Sequence, residues 1–66
     1  MSDAETLKTE IRKLSSRATA AKMDLHDLAE DLPINWQSIM TVAQKTHDTY
    51  AQLEAKRAEL KAMEEA

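Results

Sequence analysis

Cysteine, glycine and phenylalanine are all absent from the 66 residues, and proline, tryptophan and tyrosine occur once each. Without cysteine there are no disulfides and no thiolate metal sites. Without glycine there is no glycine-rich phosphate loop, and no nucleophile–base pair or HExxH pattern appears, so a non-enzymatic protein is expected. No apolar run reaches the ~18 residues of a membrane span. The N-terminal residues lack the basic, apolar, small-residue order of a signal peptide, which makes a soluble cytoplasmic protein the expectation. A net charge of −3 and an isoelectric point near 5.2 weigh against nucleic acid as the main partner.

What remains is rich in alanine, glutamate, lysine, leucine and arginine, the composition of long helices. A chain this short buries too little surface to be secure alone, so self-association is expected. Ser2 and Glu5 form a capping-box pattern that starts the first helix. Apolar residues then fall at Ala4, Leu7, Ile11, Leu14, Ala18, Ala21, Leu25, Leu28 and Leu32, alternating gaps of three and four. That is a heptad seam. A second, broader stripe follows through Trp36, Ile39, Ala43, Thr46, Tyr50, Leu53, Arg57 and Leu60.

Folding the chain at Pro33 sets Leu28 against Ile39, Ala21 against Thr46, Ala18 against Tyr50 and Leu14 against Leu53. Large residues repeatedly meet small ones, as interdigitating layers require. The expected architecture is all-α, a single antiparallel helical hairpin with helix 1 about 3–31, a turn at 32–35 and helix 2 about 36–64. Doubling it gives a four-helix bundle, as a dimer or a higher homo-oligomer. Asn35 is the expected N-cap of helix 2. Trp36 and Tyr50 are expected to pack in the core, leaving no exposed aromatic to stack on bases. Arg57 is expected to reach an acidic neighbour such as Glu10, while Met23 and Met40 flank the turn as a soft apolar surface.

The segment from Met23 to Trp36 organises the rest. Asp24, Asp27, Glu30 and Asp31 crowd the end of helix 1, where carboxylates oppose the helix dipole, and no lysine or arginine lies between residues 23 and 44. The cluster reads either as a working surface or as a plain solvated face. His26 and Glu30 are four apart on one helix face, a spacing that lets imidazole and carboxylate share a divalent transition metal such as Ni, Zn, Fe or Cu. One histidine is too few for a complete site in one chain, and His47 on helix 2 is the other nitrogen ligand. The basic residues Lys8, Arg12, Lys13, Arg17 and Lys22 give helix 1 a positive half.

The run Lys22-Met-Asp-Leu-His-Asp-Leu-Ala-Glu-Asp-Leu-Pro33, with Asn35-Trp36 and Ala43-Gln-Lys-Thr46, resembles the small Rop-like family encoded among nitrogen-fixation genes of cyanobacteria and proteobacteria. Those genes lie near others for molybdenum–iron cofactor assembly. The likeness spans Leu7 to about Met63. One member of that family is described as a metalloprotein. The resemblance implies a cytoplasmic, oligomeric helical hairpin binding metal through histidine, here His26 and His47, with nitrogenase-assembly proteins as partners. Glu30 joins that set on spacing. The competing readings are an RNA-binding bundle, by analogy of architecture with Rop itself, and a purely structural oligomerisation module.

Overall fold

The computed structural model describes residues 3–65. Helix α1 spans Asp3–Asp31, one 3-10 turn spans Trp36–Ser38, and helix α2 spans Ile39–Glu65. The two helices lie antiparallel in a rod of 49 × 14 × 13 Å. The Ser2–Glu5 capping pattern lies outside the described residues through Ser2.

The seam sets the register. Leu14, Ala18 and Leu53 form the buried cluster, with half-buried Ile11 packed against it. Ala18 and Ala21 are each only 1% exposed, so the helices approach closely where the small residues fall. There the Thr46 hydroxyl donates to the Ala21 carbonyl at 3.2 Å, or to Val42 of its own helix at 2.9 Å. Leu7 is also buried, while Leu25, Leu28, Ile39, Val42, Ala43 and Leu60 are only half-buried. A two-helix layer has one covered side, and much of the stripe stays within reach of solvent.

Three expectations fail at the surface. Trp36 is 59% exposed and Tyr50 36% exposed, so neither is buried within one hairpin. For Trp36 the reason is position at the closed end of the hairpin. Residues 36–38 open the second helical segment as a 3-10 turn, and α1 has already ended at Asp31. Arg57 turns to Glu54 at 2.9 Å, and Glu10 is met by Lys56 at 3.1 Å. Lys56 also lies 3.6 Å from Glu59, and these two carboxylates, Glu10 first, hold its ammonium pKa above the usual 10.5.

The turn is closed by main-chain bonds. Ile34 N–H donates to Asp31 at 3.0 Å, Trp36 N–H to Pro33 at 3.3 Å and Ser38 N–H to Asn35 at 2.9 Å. Asn35 does not cap with its side chain as expected. It takes the left-handed conformation, φ 61°, which asparagine tolerates better than most residues, and its side chain makes no capping bond.

Candidate functional site

Proline ends α1 by disfavouring the helical conformation of the residue before it, so the last two turns of α1, with Leu25 and Leu28 half-buried, stand at the closed end of the rod. On those turns His26 and Glu30 share one face, with Nε2 3.0 Å from Glu30 Oε1. Asp27 Oδ1 stands 3.5 Å from the other ring nitrogen, Nδ1. The imidazole therefore has a carboxylate beside each nitrogen. A neutral ring donates from one nitrogen only, so its lone pair always faces the second carboxylate. A cation at the free lone pair removes that conflict.

This donor set suits a divalent transition metal. An imidazole nitrogen and a carboxylate oxygen 3.0 Å apart are close enough to ligate one ion at ~2.0–2.2 Å each. The nearer carboxylate, Glu30 at 3.0 Å, favours a hydrogen on Nε2, and an ion bound at Nε2 would take its place with Nδ1–H toward Asp27. Among the described residues, however, no group of three or more His, Cys, Asp or Glu converges. His26 Nε2 and Glu30 are the nearest imidazole–carboxylate pair at the end of α1, at 3.0 Å.

His47 does not join them. It sits next to Thr46, opposite Ala21, which puts it about five residues or ~7.5 Å along the axis from His26. Its Nδ1 lies 3.2 Å from Asp48, and the hydrogen bonds from His47 first and then Gln44 hold the Asp48 carboxyl below the usual range. Asp24 is less isolated than expected, because Lys45 reaches across from α2 to 3.8 Å. Asp31 has no ion-pair partner among the described residues.

Beside these carboxylates the turn presents Leu32, Ile34, Trp36 and Met40 to solvent, 42%, 65%, 59% and 78% exposed. Of these, only Met40 was expected at the surface. Ile34, between Pro33 and Asn35, belongs to no helical stripe, and that absence of phase was the available signal. An exposed Trp36 also removes the argument that the chain has no aromatic free to stack. The basic residues from Lys8 to Lys22 are all exposed along the shaft of α1. No helix among the described residues is long and apolar enough to cross a membrane.

The class defined by this fold is the all-α helical hairpin, two long helices closed by one short turn. The Rop-like family profile matches residues 2–65, and the chain belongs to that family. A UPF0437 protein of Azorhizobium caulinodans is 61% identical over 64 residues, covering 97% of this chain and 93% of its own length. A Frankia alni relative, described as a UPF0437 protein in the nifX-nifW intergenic region, is 53% identical over 51 residues. That match covers 77% of this chain and 62% of the relative. An NMR structure from the Northeast Structural Genomics Consortium superposes with a TM-score of 0.90 at 51% identity, covering 98% of this chain and 92% of that one.

Proposed function

We propose that this chain is a non-enzymatic metal-binding protein of the nitrogen-fixation setting, holding a divalent transition ion at His26 and Glu30. The observation that carries the reading is the imidazole set between two carboxylates, with Nε2 3.0 Å from Glu30. The setting comes from the Frankia alni relative and its nifX-nifW location. His26 Nε2 and Glu30 ligate, and Asp27 orients the ring. The ion supplies a Lewis-acidic centre, and the open positions suit an ion that is passed on rather than locked in place. Water or a donor from another protein fills them, and His47 of a second copy is the other imidazole available. Such a role fits an assembly factor for a metal cofactor acting in the cytoplasm.

The hairpin works as a homo-oligomer. Among the described residues five apolar side chains are buried within one chain, and the half-buried stripe is what a second hairpin covers in a four-helix bundle. RNA binding is the weaker reading, because the exposed tryptophan stands among carboxylates that repel phosphate.

Calorimetric titration of Zn²⁺ and Ni²⁺ into the untagged protein, His26→Ala and His47→Ala tests the site. The expected result is binding by the native chain and a loss of at least about tenfold in His26→Ala, with His47→Ala less affected. Equal affinity in His26→Ala sinks the assignment. If His47→Ala alone abolishes binding, the centre is on α2.

A further inference from the structure

Four large apolar side chains, Leu32, Ile34, Trp36 and Met40, stand exposed within nine residues at one end of a rod 49 Å long. Single exposed apolar residues are common on any protein, but a concentration at one end marks a contact surface. Three of the four lie on backbone held by the turn's own hydrogen bonds or by the 3-10 segment, so the surface is formed before any partner arrives. Its charged neighbours on α1 are acidic: Asp27, Glu30 and Asp31 are all exposed, and Lys45 of α2 lies 3.8 Å from Asp24.

We infer that the turn end docks a cationic amphipathic segment of another protein, its apolar face against Ile34, Trp36 and Met40 and its basic residues against Asp27, Glu30 and Asp31. Charge decides the occupant. A second copy meeting this surface through a twofold axis sets the same carboxylates against themselves, with no lysine or arginine between residues 23 and 44 to intervene. A second copy offers only one large exposed apolar side chain beside each of its basic stretches, Met23 at the end of the positive half of α1 and Met63 beside Lys61 on α2, so neither presents a row of apolar residues to match Ile34, Trp36 and Met40. A segment with lysine or arginine on one side and leucine-like residues on the other satisfies both halves of the surface. This inference does not rest on the metal reading.

The test uses the full chain in EDTA, which takes metal out of the comparison. Three synthetic peptides serve as probes: leucine and lysine at helical spacing, leucine and glutamate in the same pattern, and glycine and lysine with the same charge as the first. Trp36, the sole tryptophan, reports from inside the surface. The leucine–lysine peptide should shift its emission to the blue saturably and weaken with salt, and the other two should not. Ile34→Ser with Met40→Ser should weaken binding by about tenfold or more. These positions are exposed, so circular dichroism should show unchanged helicity. Amide chemical shifts should move at residues 26–40 and not along the shaft. Equal binding of the leucine–glutamate peptide, equal binding of the glycine–lysine peptide, or indifference to the double substitution each overturns the proposal. So does a Trp36 emission already blue-shifted in a concentration-dependent way, which would mean that a second copy occupies the surface.

Discussion

The hydroxyl of Thr46 lies 3.2 Å from the main-chain oxygen of Ala21, a side-chain hydrogen bond joining α1 to α2. It sits where Ala21 is 1% exposed, so it fixes the register at the point of closest approach. Thr46→Val keeps the shape and removes the donor. The expected cost is ~0.5–1.5 kcal/mol by urea unfolding, the usual net worth of such a bond. No change would mean that the hydroxyl is committed to Val42 of its own helix.

Leu14 and Leu53 form the buried cluster with Ala18 between them. Leu14→Ala or Leu53→Ala should each cost ~2–5 kcal/mol per chain. The midpoint of unfolding should also rise with protein concentration, because oligomerisation stabilises the folded state by mass action. A cost within ~0.5 kcal/mol would place these leucines at the surface.

Much of this fold was legible beforehand because gaps of three and four over four heptads leave one face for each helix. Ala21 and Thr46, and Leu14 and Leu53, meet where the seam and the alternation of volumes put them. The turn was less legible. Trp36 was placed on a regular helix, whereas it opens a 3-10 segment beyond the end of α1 and is exposed in the single hairpin. Asn35 was read by its capping chemistry, whereas its left-handed tolerance decided its conformation. At the candidate site, the proximity of His26 and Glu30 follows from their spacing alone. The apolar half of the turn does not, since it depends on how Pro33 to Ser38 aim their side chains. Glu10 chose Lys56 over Arg57, a one-residue difference that periodicity does not resolve.

Lys56 gives a pH signature. Glu10 and then Glu59 hold its pKa above 10.5, so the folded state binds this proton more tightly than the unfolded one. The contribution is fully present below the unfolded value and is lost as pH rises through the folded one. Lys56→Gln should therefore flatten the alkaline fall of the melting temperature, leaving acid behaviour nearly unchanged. The group is exposed, so the effect should be small, and added salt should shrink it further.

Glu30 stands at the negative end of the α1 dipole, where a carboxylate is disfavoured. Glu30→Gln should leave stability unchanged within ~0.5 kcal/mol or raise it. The same change should lower Zn²⁺ affinity by about tenfold. A clear loss of stability with unchanged affinity would make Glu30 structural.

The most direct test of the metal reading is ¹⁵N NMR of the two imidazoles as Zn²⁺ is added to the untagged chain. The account predicts that His26 Nε2 moves to a metal-bound shift while Nδ1 keeps its proton beside Asp27. His47 should follow more weakly or not at all. Unchanged His26 signals at saturating Zn²⁺, or a response confined to His47, would contradict it.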